Sequence, residues 1–414
     1  MGREKKGCMM TCCGSGLVVL LLGVGWWNIA NNLPEINIPS PKMPSPNAFD
    51  FFVKASKQIE NENQVGLALD GKSTVATDES RKTQAELLAD NAEALKTLRE
   101  GLPLAYMPPP VRSIGARFTY FAGFRSLARL LMLESQVKAT HKDWNGAVNS
   151  KMDALQLGVE TAHGSPIIGS LVGIACQAIG RRDVWKDFDH LNAAQAKTAT
   201  QRLQKILALQ TPWAETLQEE KWMGQASLRD VLNGKAVEGM SSSFMMKVAG
   251  IFYRKGRIMD NYTLYMDQTI VNGKLPYAAH PPLPHMPNDP ISQVMFLVFE
   301  QAHFKAIETE TQNALLLTAL ALHAYRLEKG HYPHTLQELV PTYLQKIPND
   351  PFALKGPLQY KLQGKTYLLY SVGPDGKDDG GKMIDDPSAM PLNPGLRYRA
   401  QEKSVGDIVA GKNY

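Results

Sequence analysis

From Gly7 to Ala30 the chain carries no aspartate, glutamate, lysine, arginine or histidine. As an α-helix a run of that length reaches about 36 Å, enough to cross a hydrocarbon core of roughly 30 Å. Its centre, Gly16-Leu17-Val18-Val19-Leu20-Leu21-Leu22, is strongly apolar. Trp26 and Trp27 follow where aromatic rings settle at a membrane interface, and Arg3, Lys5 and Lys6 precede the run. This pattern predicts one N-terminal transmembrane helix with its basic tip in the cytoplasm and the bulk of the chain on the far side. A cleaved signal peptide shares the charge pattern. Against it, Asn28-Ile29-Ala30 is a poor small-x-small site and two tryptophans stand just before it, which favours a retained anchor. Cys8, Cys12 and Cys13 sit at the cytoplasmic end, leaving Cys176 alone in the exported part, so no disulfide framework is implied. The three cysteines read as weakly polar residues of a helix end, with acylation as the alternative.

Five prolines between Leu33 and Asn47 favour extended chain and predict a stalk. Asp70 to Ser80 reads as a polar loop. Beyond it the apolar spacing turns helical. Leu87, Leu88, Leu95 and Leu98 predict one amphipathic segment, Phe118 to Val137 a longer one, and Met152, Leu155 and Val159 a third. Pro166 opens a fourth, apolar on all sides but too short to span, which reads as a buried core helix. Thr198 to Leu209 and Trp213 to Leu232 continue the pattern. Ala128 to Gly158, with His141-Lys142-Asp143-Trp144 between two helices and small residues at Ala128, Ala139 and Ala147, loosely resembles a tetratricopeptide hairpin, though no 34-residue period repeats. Asn272 to Pro290 is proline-rich and reads as a link.

The expected fold is mainly α: a single transmembrane helix, an all-α domain, and a small α+β C-terminal module with a β-hairpin. The expected divisions are 1–30 for tip and anchor, 31–80 for stalk and loop, 81–271 for the helical domain, 272–306 for the link and a helix start, 307–390 for the module and 391–414 for a tail. A net charge of only +5, dispersed along 414 residues, gives no basic stripe and excludes nucleic acid as the expected partner.

The module has the most informative local order. A helix is predicted from Glu308 to Lys329, stopped by Gly330 and Pro333. Thr335 to Glu338 forms a capping box, opening a short helix through Tyr343. Leu358–Leu362 and Thr366–Ser371 alternate like paired strands joined at Gln363-Gly364-Lys365. An acidic, glycine-rich loop from Gly373 to Gly381 follows. The order Ala324-Tyr325-Arg326-Leu327-Glu328-Lys329-Gly330-His331-Tyr332-Pro333, then Ile347-Pro348-Asn349-Asp350-Pro351, then Tyr370-Ser371-Val372-Gly373-Pro374-Asp375-Gly376 resembles the globular part of type II secretion major pseudopilins. The resemblance covers about a fifth of the chain. It implies a calcium site in the final loop, with Ser371 and Asp375 in its first half. In the second half Asp378 and Asp379 come early, and Asp385 and Asp386 late. Oxygen-rich composition and glycines that turn carbonyls inward suit a hard cation independently. Two departures stand out. No Gly-Phe-Thr-Leu-x-Glu prepilin motif occurs, and nearly three hundred residues separate the apolar segment from the tyrosine-bearing helix.

No phosphate loop, nucleophile elbow or His-Glu-x-x-His is present. His323, His331 and His334 are close in sequence, but Pro333 and the capping turn explain that stretch structurally. His280 and His285 flank prolines in a loop. Glu219, Glu220 and Asp230 are spaced like a solvated helix face, and Arg181-Arg182 like a helix C-terminus favouring the dipole. The expectation is a non-enzymatic, membrane-anchored envelope protein, in contact with the lipid bilayer and with envelope or secretion proteins. The alternatives are an exported hydrolase with a site between helices, and a helical-repeat peptide- or ligand-binding module.

Overall fold

The computed structural model describes residues 33–69, 82–113, 115–233, 254–282, 284–285, 299–387 and 397–413. The expected transmembrane helix, its three cysteines and the whole of the Asp70–Ser80 loop lie outside them. Among the described residues no helix is long and apolar enough to cross a membrane.

The described chain is mostly helical, with one small sheet. Its helices are α1 Ala48–Lys57, α2 Glu62–Leu69, α3 Gln84–Asp90, α4 Ala92–Gly101, α5 Tyr120–Thr140, α6 Trp144–Ala162, α7 Ile167–Arg181, α8 Val184–Phe188, α9 Ala193–Leu207, α10 Trp213–Leu232, α11 Lys255–Asn272 and α12 Phe299–Lys329. The helical body begins earlier than residue 81. Phe49, Phe52 and Val65 of α1 and α2 are buried in the same cluster as Leu98, Phe124 and Leu127. Asn47 fixes where α1 starts, its Oδ1 accepting from Phe49 N and Met107 N while its Nδ2 donates to Met107 O. The proline segment before it is free of helix, but Leu33 and Ile36 pack on the body beside α10 and α11.

The segment expected as one helix through Leu98 is two. Asn91 is completely buried, and its side chain accepts from Glu60 N at 2.8 Å and donates to Leu87 O at 2.8 Å. A side chain that competes for backbone groups in this way ends one helix and begins the next. The α5–α6 hairpin forms as expected, turned by Lys142 at φ 63° and capped by Asp143, which accepts from Gly146 N at 2.8 Å. The apolar helix α7 is largely buried. It crosses α6 at glycines: a Cβ on Gly173 would lie 2.4 Å from the Gly158 carbonyl oxygen.

Glu219, Glu220 and Asp230 are not a solvated face. Glu220 accepts from Ile167 N at 2.9 Å, capping α7, whose first amides have no intrahelical partner. Glu219 pairs with Arg112 at 3.0 Å and Asp230 accepts from Ser113 Oγ at 3.2 Å, so these acids fasten the 103–113 loop. Arg181 also turns inward, donating to Asn313 Oδ1 of α12 at 2.8 Å.

α12 is 31 residues long and ties the molecule together. One continuous core joins Leu155 and Val159 of α6, Leu203 of α9, Leu316 and Leu320 of α12, and Leu369 and Ile408 of the sheet. The hairpin strands are β1 Gln359–Gln363 and β2 Thr366–Ser371, antiparallel from Gln359↔Tyr370 to Gln363↔Thr366. Gly364, at φ 63°, supplies the left-handed turn position between them. A third strand, β3 Ile408–Val409, adds antiparallel to β2. The stretch expected as a tail is thus part of the fold, held also by Asn413, which donates to Ile384 O and Tyr398 O. The short helix after Thr335 is a 3-10 turn over Leu336–Leu339 and stops before Tyr343. Pro341 is the reason, since the residue before a proline is pushed out of helical geometry, and Val340 is extended.

Candidate functional site

Two places concentrate chemistry. The first is the acidic loop after β2. Ser371 is fully buried, and its hydroxyl donates to Asp350 Oδ1 at 2.6 Å. Asp350 also accepts from Val372 N and Phe352 N, and burial still raises its pKa. Asp407, fully buried, accepts from Gly381 N at 2.6 Å and Asp379 N at 3.3 Å. Burial raises the Asp407 pKa, and the charges of Asp378 and Asp379 add to the rise. Asp378 Oδ1 accepts from Gly380 N and Tyr370 OH, both at 2.9 Å, which hold it below the usual carboxylate range. Asp375 accepts from Lys377 N at 3.2 Å.

Of the two candidate pairs in the second half, Asp378 and Asp379 stand by Asp407. Asp385 is drawn off into an ion pair with Arg397, and Asp386 N donates to Arg397 O at 2.8 Å. Sequence reading passed over Asp350 and Asp407. Asp350 looked like a turn residue, and Asp407 is far along the chain, reaching the loop only because β3 pairs with β2. Among the described residues no group of three His, Cys, Asp or Glu side chains stands in metal-holding geometry. The donors that do gather are all oxygens, the kind of atom a hard cation takes.

The second place is a cavity of about 300 Å³ between the start of α10, α11, the start of α12 and the C-terminal segment. His303 of α12 lies 5 % exposed, stacked on Trp213 with ring centroids 5.3 Å apart and 4.7 Å from His280. Tyr277 meets His303 edge-on at 5.4 Å. Burial, then the neighbouring His280, pushes the His303 pKa down to about 3. His280 Nδ1 is 3.1 Å from Pro281 O. A carbonyl only accepts, so that nitrogen carries the proton and Nε2 carries a lone pair. This Nε2 is buried and has no hydrogen-bond partner. The proline link, expected as a plain connection, therefore supplies one wall of a pocket. The other proposed histidines go elsewhere: His323 faces Phe188, His331 Nδ1 bonds to Tyr332 O, and the His334 amide donates to Glu338.

A larger open cleft of about 620 Å³ is lined by Arg129, Arg182 and Glu62, but the Glu62 carboxylate already accepts from Ser126 Oγ. Inside the helical body Glu160 and Tyr106 bury two unpaired oxygens, Glu160 Oε2 and the Tyr106 hydroxyl. Burial pushes the Glu160 pKa from 4.5 up to about 8. The unfolded chain then loses this proton at lower pH than the folded one, so stability falls as pH rises through that interval. Glu160→Gln is expected to leave the melting temperature unchanged near pH 4 and to stabilise the protein above pH 8, by on the order of 3 kcal/mol. Melting curves across pH 4–9 check this, and parallel curves for the two proteins would refute it.

No protein-family model, curated protein or solved structure matches this chain.

Proposed function

We propose that this chain is a single-pass envelope protein, tethered by its N-terminal helix, whose extracytoplasmic body acts by interaction rather than catalysis and works beside a secretion- or pilus-type apparatus. The observation that carries this reading is the C-terminal module: helix, capped turn, hairpin and acidic loop follow one another on the framework of α12. Because α12 also runs through the helical body, the module is fixed to it and does not dangle. The lack of a prepilin motif supports, in this reading, a place beside such an apparatus over one in its fibre. Against hydrolysis, His303 with a pKa near 3 is a poor general base at neutral pH.

The acidic loop takes calcium in this reading, with Asp378 and Asp379 as carboxylate donors, Asp407 beside them and Asp375 at the loop's start. Calcium supplies only countercharge and rigidity there. Millimolar Ca²⁺ is expected to raise the melting temperature of the full chain, by about 2.7 kcal/mol of stability at a hundredfold excess over Kd. Asp378→Asn with Asp379→Asn is expected to abolish the rise. Calorimetric titration showing no heat at millimolar calcium overturns the metal site. For the placement, the chain is expected in carbonate-washed membranes, degraded by protease added from the extracytoplasmic side and crosslinked to envelope partners. Recovery as a lone species without an envelope partner overturns it.

A further inference from the structure

We infer, resting on the calcium reading of the acidic loop, that Lys361 is that loop's built-in countercharge and sets how tightly it holds the dication.

Register places the lysine. Lys361 of β1 lies directly opposite Leu368 of β2, so the two side chains share one face of the hairpin. The loop folds back over that face. A Cβ on Gly381 would lie 2.3 Å from Leu368 Cδ2, and one on Gly380 would lie 3.8 Å from Lys361 Nζ. Gly380 and Gly381 have φ of 75° and 91°, backbone that only glycine adopts freely, and so come this close. Lys361 Nζ stands 3.5 Å from the Gly380 carbonyl oxygen. It also stands 5.4 Å from the centre of the Tyr370 ring, its diagonal neighbour on β2. Tyr370 in turn donates its hydroxyl to Asp378 Oδ1 at 2.9 Å.

Charge gives the placement its consequence. The Lys361 pKa is raised, first by its hydrogen bond with Tyr370, and the charges of Asp378 and Asp407 add to the rise. Two acids of the calcium reading thus already act on this ammonium. Lys361 is exposed, so water weakens its field, but the separation is short. At about 6 Å in water, a single positive charge weakens the binding of a divalent cation about tenfold. That distance is inside the Debye length of about 8 Å at physiological salt, so mobile ions remove only part of the effect.

The test is calorimetric titration of the purified full chain with calcium chloride, for the parent, Lys361→Met and Lys361→Arg. Methionine keeps an unbranched stem over Tyr370 and removes the charge, whereas arginine keeps the charge. Lys361→Met is expected to bind calcium about tenfold more tightly than the parent, and Lys361→Arg to stay within about twofold of it. The gain should shrink in about 1 M sodium chloride, where the Debye length is about 3 Å. Metal-free melting curves give a second readout. A loop without its countercharge draws more stability from salt, so the melting temperature of Lys361→Met should climb more steeply with sodium chloride than the parent's. Heat from Lys361→Met with a silent parent also supports the inference. Equal calcium affinity in the parent and Lys361→Met overturns it and leaves the calcium reading standing, as does an equal gain in Lys361→Arg. No heat from any of these proteins overturns the calcium reading and the control of dication affinity together. The salt curves then decide the countercharge: a steeper climb in Lys361→Met supports it, and parallel curves overturn it.

Discussion

Gly173→Val is expected to cost about 3 kcal/mol or more and to lower the urea midpoint accordingly. α6 and α7 cross where two glycines face each other. A Cβ on Gly173 would lie 2.4 Å from the Gly158 oxygen, and one on Gly158 would lie 2.6 Å from the Gly173 oxygen and 2.7 Å from the Gln177 nitrogen. These neighbours are backbone atoms of helices and cannot rotate aside, so the helices must separate. The shift travels further. Gln177 and Arg181, on the displaced helix, hold Asn313 of α12 at 2.8 Å each. Both bonds are buried or nearly so, and each contributes about 1 kcal/mol. Gly66→Ala on α2 is the control, because nothing lies within 4 Å of its new methyl group, and it should be neutral or stabilising. Urea unfolding followed by ellipticity distinguishes the two; equal midpoints would mean that α6 and α7 do not approach this closely.

That crossing shows what the sequence makes legible and what it does not. Apolar spacing located α5, α6, α7, α9 and α10, because burying one helical face is a local, periodic demand. The glycines were visible too, but nothing local pairs Gly158 with Gly173. α1 and α2 were missed since they are short and follow a proline-dense segment. Nothing local marks Asn91; only Glu60, brought near by the fold, makes it a breaker. β3 is two residues long and offers no period to detect. Its strand identity comes wholly from the open edge of β2.

The sites divide in the same way. Glycines and aspartates crowded between Gly373 and Gly381 announced a loop with oxygen chemistry. Which acids share that loop depended on register: Ser371↔Ile408 pairing sets Asp407 beside Gly381, and the Arg397 ion pair removes Asp385. The cavity around His280 and His303 left no local trace. His303 falls before the helix predicted from Glu308, within the stretch read as link and helix start, and Trp213 marked only a helix start. Their meaning lies in the stack between them, ninety residues apart in sequence.

Lys151 offers the other large effect, through charge in place of volume. Its side chain is 2 % exposed on α6 and pairs with Asp187 of α8. Burial lowers its pKa below 10.5 although Asp187 and Asp183 oppose the change. Asp187→Ala leaves an ammonium group buried without its partner and is expected to cost about 3–5 kcal/mol at pH 7. The sign of the pH dependence follows from the lowered pKa. Between the folded value and 10.5 the unfolded chain holds more protons than the folded one, so stability rises with pH. Removing Asp187 lowers the folded value further and widens that window. The variant should therefore regain part of its loss between pH 7 and pH 10, which urea midpoints at the two pH values measure. Replacing both partners, Lys151→Met with Asp187→Leu, removes the charges together and should come within about 1 kcal/mol of the parent. A double variant as unstable as Asp187→Ala would show that packing at α8, and not the uncompensated charge, sets the cost.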